Sequence, residues 1–490
     1  MAFLISSDKK QSCEEGRDIK KLALILIAAA ISLTLIAFPT KAAAVSSNEV
    51  KIFITTDGSG IKLKKADGYI PAEFTVYDVD GEIRTSSGQI KVRGNSTADR
   101  KKNPYTIKFD KKMSIGGIEK AKKWALLANL FDPTLVRNSI AFDIAKELDI
   151  PFTPDSVYSE VWLDGNYLGC YLLTDPVQVN SGRVEIDTDN GDFLIEFEGT
   201  REEEGEIYLV SEGLRFVLSD PEDPDPAVVT EIQNKLDSVL HSVRYGSWDE
   251  VCEKIDVTSF AEYYLLNEYY KTVDFGYSSA FFNYSSGKLY AGPTWDYDLS
   301  SGNVNIDHPK HAQAYSRAAD TSFTYADSCN IFRYLCVFDE FYEEVRKVYS
   351  EHYDFFKEIP LDGGLVDRTI SDHSEIFTKN YTDTKISIAK SYCTLMRAPD
   401  DTYEENVAYY KNWLNQRNEF LSVYYQLFED NLKGDLNYDG DLDMNDLVIM
   451  QGYLLRKVHF DKHTWNIADI NEDGKANVFD LIAMRQMIVA

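Results

Sequence analysis

The sequence is short of cysteine, of basic charge and of long apolar runs, and each shortage removes a class of function. Only six cysteines occur in 490 residues, and none are spaced Cys-x-x-Cys, so a structural zinc site and thioredoxin-type chemistry find no support. Cys13 lies in a leader-like segment, leaving Cys170, Cys252, Cys329, Cys336 and Cys393, an odd number that cannot all pair within the chain. Buried free thiols are expected, with Cys329 and Cys336 as the one candidate disulfide. Lys and Arg number 51 against 80 Asp and Glu, a formal charge of −29, which argues against general nucleic-acid binding and favours solubility and cation binding. There is no glycine-rich phosphate loop of the P-loop or usual kinase type. A single apolar run, Leu22 to Phe38, approaches a membrane thickness, at about 25 Å as a helix. Lys20-Lys21 precede it, and Pro39 and Ala42-Ala43-Ala44 follow, which is the positive, apolar, small order of a secretion signal. A signal peptide over residues 1–44, cleaved near Ala44, is the expectation, with an uncleaved membrane anchor as the alternative. The mature chain is expected outside the cell.

What is present is ample core material, 44% hydrophobic and 13% aromatic, enough for two or three domains. Lys51–Thr56, Glu73–Tyr77, Gln89–Arg93 and Tyr105–Phe109 read as short strands divided by Asp-Gly or Ser-Gly turns. A helix is predicted from Leu135 to Leu148, then a hairpin of Val157–Leu163 and Tyr167–Leu173 around Asp164-Gly165, and a strand at Phe193–Phe197. After the proline-punctuated loop that starts at Ser219, helices dominate from Ala227 onward, apart from Ser279–Tyr284 and Lys288–Tyr290. Strands first and helices second predict an α+β fold with a sheet lobe, a helical lobe and a crevice between them.

Two loops near the C-terminus carry oxygen-bearing residues at positions suited to calcium. They are Asp435, Asn437, Asp439, Asp443 and Asp446, and Asp469, Asn471, Asp473, Asn477 and Asp480, in register 34 residues apart. These occupy positions 1, 3, 5, 9 and 12, with Gly440 and Gly474 at position 6; Asp441 and Lys475 at position 7 contribute backbone carbonyls. Position 12 is Asp instead of Glu, a shorter arm that draws the metal inward. Each loop runs into an amphipathic segment, Leu447, Met450, Leu454 and Leu481, Met484, Ile488, at helical spacing. This region, 433–490, resembles a type I dockerin. The resemblance implies a small all-α domain with two loop-helix repeats and two bound Ca²⁺, docking on the cohesin module of a scaffoldin in an extracellular cellulosome that degrades plant polysaccharide. The family's partner-selecting positions are here Met444-Asn445 and Val478-Phe479, which lack its best-known Ser/Thr pair and differ between the halves.

Charge is also uneven in the body of the chain. Between Arg84 and Lys123 twelve Lys or Arg stand against three acidic residues, a pattern suited either to holding an anion or to a solvated basic face. Further on, Asp274, Asn283, Asp296 and Asp298 lie among aromatics, where an acid is costly unless it has a partner or a metal. A hairpin at Ser285-Ser-Gly287 brings Asn283 to Tyr290 and carries Asp274 and Asp296 toward one end. Such a set suits Mg²⁺ or Mn²⁺ bridging phosphates; turn formation, helix capping and ion pairing to the basic sheet are the alternatives.

The ordered pieces Val92-Arg-Gly-Asn-Ser-Thr97, Tyr105-Thr-Ile-Lys-Phe109, Trp124–Asn129, Val136-Arg-Asn138, Leu163–Leu173 and Gly292-Pro-Thr-Trp-Asp-Tyr-Asp-Leu299 resemble the CotH kinase family. A body over 45–430 follows, for which the resemblance implies an atypical protein-kinase-like fold that binds ATP between its lobes and phosphorylates Ser or Thr of a protein substrate. Transferred to this chain, Lys108 and Arg93 hold phosphate, Asp274 is the acceptor-side carboxylate, and Asp296 binds metal with Asn283 or Asp298. Where the family commonly has Glu and a polar residue after its Tyr-Leu-Leu strand, this chain has Thr174-Asp175-Pro176, and Pro removes an amide donor. Two other readings stay open: a non-catalytic kinase-like binding module, and a carbohydrate-active hydrolase using Asp296 and Asp298 as acid and base. Against the last, carboxylates two apart on one strand point the same way.

Overall fold

The computed structural model describes residues 49–199, 201–305, 318–320, 331–384, 386, 388, 394–425, 432–458, 460 and 462–489. The leader, Cys329 and Cys393 lie outside them. Among the described residues no helix is long and apolar enough to cross a membrane, and Cys170 and Cys252 are free thiols.

Alternation of apolar and polar residues builds the first half. Strands β1 (Val50–Thr55), β2 (Ile70–Tyr77), β3 (Ile83–Val92), β4 (Tyr105–Met113), β5 (Ala121–Leu127), β6 (Ser156–Leu163) and β7 (Asn166–Thr174) close into a barrel in the order β1-β2-β3-β4-β5-β7-β6. Closure comes from a parallel pairing of β1 with β6, Ile52 opposite Val161. Every second residue turns inward, so Ile52, Phe74, Ile90, Ile107, Phe109, Trp124 and Val161 fill the interior. Helix α1 (Arg137–Glu147) lies between β5 and β6 in sequence.

The second half has a sheet of its own, which departs from the expected helical lobe. Strands β8 (Phe193–Phe197), β9 (Tyr208–Ser211), β10 (Leu214–Asp220), β11 (Ala280–Ser285) and β12 (Lys288–Ala291) pair in the order β12-β11-β8-β10-β9. Ser286 and Gly287 take positive φ at the β11–β12 turn, and Asn283 stands opposite Tyr290 in register. The helices are α2 (Pro226–Tyr245), α3 (Trp248–Lys254), α4 (Val257–Tyr270), α5 (Phe332–Leu335), α6 (Asp339–Glu351), α7 (Tyr353–Glu358), α8 (Leu365–Asp372), α9 (Ser374–Thr382) and α10 (Tyr403–Tyr424). Of these, α2, α3 and α4 pack on strands of this sheet, whereas α9 packs on β7 of the barrel. Apolar residues cover nearly the whole of α4, from Phe260 to Tyr270, and it is accordingly a buried central helix. Thr402 and Glu405 cap α10 reciprocally. Its inner face carries Tyr410, Trp413, Leu414, Arg417, Phe420 and Leu421 into the second core.

At the C-terminus the structure has α11 (Met444–Leu454), α12 (Lys462–Ala468) and α13 (Val478–Val489). Leu447, Met450 and Met484 are buried, while Leu454, Leu481 and Ile488 are half-buried against the same core. The opposite faces expose Met444, Val448, Val478, Phe479 and Ile482.

Candidate functional site

A cleft of about 640 Å³ opens between the barrel and the second sheet, a size suited to a nucleotide-sized ligand. On the barrel side it is lined by Lys65, the turn Arg93–Thr97 after β3, and Leu127–Leu130 after β5. Gly94 makes that turn possible: φ is +84°, and a Cβ there would lie 2.3 Å from Thr97 Oγ1. The Arg93 amide donates to Pro104 O at 3.0 Å, fixing its backbone. Its guanidinium lies over the Trp295 ring at 5.0 Å, and Nη1 has no hydrogen-bond partner within the protein. Burial lowers the Arg93 pKa to about 10, opposed by the charges of Asp296 and Tyr69. A shielded cationic donor without a partner is what an anionic ligand satisfies. More positive charge gathers beside it. Lys65 Nζ donates to Asn95 Oδ1 at 2.6 Å, and Lys91 lies over the Tyr69 ring at 4.7 Å. Burial, and then neighbouring cations, push the ammonium groups of Lys91 and Lys123 below the usual lysine range.

Acidic groups face these cations across the cleft. Glu196 comes from β8, Asp274 from the turn after α4, and Asp296 and Asp298 from the loop after β12. Ser279 ties two of them together, its amide donating to Glu196 Oε1 at 3.1 Å and its hydroxyl to Asp296 Oδ2 at 3.3 Å. Both Ser279 (φ +60°) and Asp296 (φ +71°) sit in the left-handed region, which non-glycine residues rarely occupy without surrounding support. That support is visible around the loop. The Tyr297 amide, between the two aspartates, donates to Asn138 Oδ1 at 2.9 Å. Asn303 Nδ2 donates to Asp298 O at 2.7 Å. Behind them the Tyr297 ring packs edge-on against Tyr270 at 5.6 Å, and the Tyr270 hydroxyl meets that of Tyr410 on α10 at 2.7 Å. Burial, followed by the charges of Asp296, Asp274 and Asp132, drives the Asp298 carboxyl well above the ordinary range. Asp296 is raised by burial, with Ser279 and Arg93 opposing, and burial pushes Glu196 up to about 7. Crowded acids of this kind form a hard-oxygen donor set that fits a divalent cation. Among the described residues no three acidic, His or Cys groups converge on one metal position, so a divalent cation held here would need further oxygen ligands from its own ligand or water.

Arg93, Asp274, Asp296 and Asp298 thus meet at one cleft, and two residues assigned with them do not. Lys108 projects from the barrel wall, because Ile107 and Phe109 take the inward positions of β4 and leave it exposed, opposite Gln89 and Lys123. Asn283 is buried within the second sheet, its amide donating to Gly292 O at 3.2 Å, and does not line the cleft. Asp296 and Asp298 lie on a loop, not on a strand, so the alternation rule does not govern where they point. Asp175 pairs with Arg183 at 2.9 Å, and Asp175 and Pro176 are away from the cleft. Sequence reasoning missed Lys65, Asn138, Glu196 and Arg201, which line the cleft. Glu196 left a trace as a lone acid inside an apolar five-residue strand, and Asn138 as the end of the Val136-Arg-Asn138 piece.

The two C-terminal loops repeat one hydrogen-bond design. Asp435 accepts from the amides of Asp439 (3.2 Å) and Gly440 (2.9 Å), and Asp469 from those of Asp473 (3.1 Å) and Gly474 (2.8 Å). Asp446 accepts from Asn437 (3.2 Å) and Asp443 (2.8 Å), as Asp480 does from Asn471 (3.2 Å) and Asn477 (2.8 Å). Asn437 and Asn471 each also accept the amide of their loop's fifth residue. Asp441 donates its amide to Asp439 at 3.0 Å, and the Lys475 carbonyl accepts from Asn477 at 3.0 Å. Burial and neighbouring carboxylates lift Asp435 to about 6, opposed by the amides of Gly440 and Asp439. The carboxylate, amide and carbonyl oxygens of these loops fit calcium.

Comparison with known families gives two matches. The model described as CotH kinase protein matches residues 90–421, and the model described as Dockerin type I domain matches residues 433–489. No curated protein matches the chain.

Proposed function

The chain belongs to the CotH kinase protein family and ends in a type I dockerin domain, and from that premise we propose that its cleft carries out ATP-dependent phosphoryl transfer to a Ser or Thr hydroxyl of a protein, assisted by Mg²⁺ or Mn²⁺. The dockerin makes the chain an extracellular cellulosome component that binds calcium and a cohesin. The phosphotransferase reading is carried by one observation: Arg93, with Nη1 lacking a protein partner, faces Asp274, Asp296 and Asp298 across a cleft of about 640 Å³.

Phosphoryl transfer asks for cations on the phosphates, metal on carboxylates, and an acid near the acceptor. Arg93 and Lys65 are assigned to the phosphates. Asp296 and Asp298 would hold the divalent ion, which when bound neutralises phosphate charge. Asp274 is assigned to orient the acceptor hydroxyl and take its proton. The acceptor oxygen forms its bond to the γ-phosphorus as the bond to the β–γ bridging oxygen breaks, and ADP leaves with that oxygen.

Calorimetric titration of the purified protein with ATP and Mn²⁺, comparing wild type with Asp296→Ala, is the test. Binding that is lost in the variant supports the assignment. Absence of nucleotide-dependent heat in either protein removes it and leaves a non-catalytic binding module.

A further inference from the structure

The two calcium loops share a backbone design but differ at their fourth position. Tyr438 (φ +61°) and Glu472 (φ +56°) occupy equivalent left-handed positions, so calcium-loop geometry does not itself call for a tyrosine. Glu472 reaches into solvent, within 3.4 Å of Lys433 Nζ. Tyr438 is 5% exposed. Its ring stands edge-on to Phe420 at 5.5 Å and to Tyr424 at 5.1 Å, both on the last turns of α10, and its hydroxyl meets Thr464 Oγ1 at 2.8 Å. Tyr438 and Leu436 from this loop join the same buried cluster as Phe420, Leu421 and Tyr424. A bulky residue at positive φ is strained, and the buried aromatic contacts offset that cost.

We infer that the first calcium loop is an intramolecular docking element: with calcium in that loop, Tyr438 fixes the dockerin on the end of α10, whereas the second loop plays no such part. The cation enters because ordering of the loop depends on it. Asp435 and Asp446 are drawn together in the closed loop, where backbone amides satisfy part of their hydrogen bonding and a cation neutralises their charge. Removing calcium releases the loop, takes Tyr438 from its seat and uncovers Phe420 and Tyr424. This coupling is independent of whether the cleft binds a nucleotide. It leaves the exposed apolar residues Met444, Val448, Val478 and Phe479 free for the cohesin.

Hydrogen exchange on the full-length protein, in Ca²⁺ and in EGTA, tests this. In wild type, chelation should raise exchange in the last turns of α10 by roughly tenfold or more, as local opening becomes easier. Tyr438→Glu installs the residue that the second loop already tolerates, so calorimetry should still count two Ca²⁺. In this variant α10 should exchange fast even with calcium present and should no longer respond to EGTA. Phe420→Ala, which changes no residue of either loop but removes the ring against which Tyr438 stands, should do the same. If α10 exchange in wild type ignores EGTA, or if a variant that binds two Ca²⁺ keeps the wild-type response, the inference is overturned.

Discussion

Arg137→Met isolates a buried charge beside the candidate site. Arg137 Nη1 lies 2.5 Å from Asp132 Oδ1, with both side chains essentially unexposed. Nη1 also reaches Thr134 Oγ1 at 3.3 Å, Nη2 reaches Ser301 O at 3.5 Å, and the guanidinium lies over Tyr410 at 4.5 Å. Methionine preserves much of the volume but strands the Asp132 carboxylate in the core. Breaking a buried pair in this way costs about 3–5 kcal/mol. Asp132 keeps bonds from the Thr134 amide (2.9 Å), the Thr134 hydroxyl (2.6 Å) and the Arg137 amide (2.8 Å), which places the cost near the lower end. At about 2 °C per kcal/mol for a large domain, calorimetry should show Tm falling by roughly 6 °C. The decisive comparison adds Asp132→Asn. If a stranded charge is the cause, the double variant is more stable than Arg137→Met alone, even though it carries one substitution more. A double variant that is no more stable than the single one would refute the reasoning and move the cost to lost packing on Tyr410.

Other substitutions test the neighbouring groups. Asp274→Asn should leave ATP binding intact by calorimetry and lower phosphoryl transfer by about a hundredfold or more, the scale of a lost general base; equal losses in both would assign Asp274 to binding. Glu196 keeps its proton up to about pH 7 when folded, against about 4.5 in its ordinary state. The folded chain therefore binds more protons in that window, and its stability falls as pH rises from 4.5 to 7. Glu196→Gln should flatten part of that fall in a Tm–pH series on metal-free protein. Tyr410→Phe removes one hydroxyl of a buried 2.7 Å pair with Tyr270 and should cost about 1 kcal/mol in urea unfolding; no change would mean the pair contributes nothing net. EGTA should abolish cohesin capture in a pull-down, and capture that persists would separate docking from calcium.

Much of this was legible wherever one residue type had to solve one problem. Asp296 and Asp298 among aromatics demanded partners or a metal, and Asp435 to Asp480 repeated a ligand spacing. What stayed hidden depended on neighbours distant in sequence. Alternation along β4 shows that Lys108 faces away from Ile107, but not whether the cleft or solvent covers it. Strand β5, Ala121-Lys-Lys-Trp-Ala-Leu-Leu127, lacks the β-branched residues that mark a strand, and its pairing with β4 and β7 overrides local preference. Three strands of the second sheet were expected, but β9 and β10, which follow the acidic stretch 202–206, were not, so the five-stranded sheet they complete did not emerge. Lys65 reaches the cleft through tertiary packing alone, and nothing in its local sequence distinguishes it; Asn138 stood in a family-like piece, but its place at the cleft came only from packing.

Barrel closure has a consequence for life in a crowded assembly. A scaffold that carries many proteins within nanometres of one another raises their local concentration, and any unpaired strand edge there is a template for knitting one chain to the next. The barrel offers no edge at all. In the second sheet both outer strands have only four residues. Main-chain bridging from Ile255 and Asp256 covers Leu289 on β12, and the Gln233 side chain occupies the Val210 carbonyl on β9 at 3.1 Å. Short and partly covered, these outer strands give a neighbouring chain little edge to pair with.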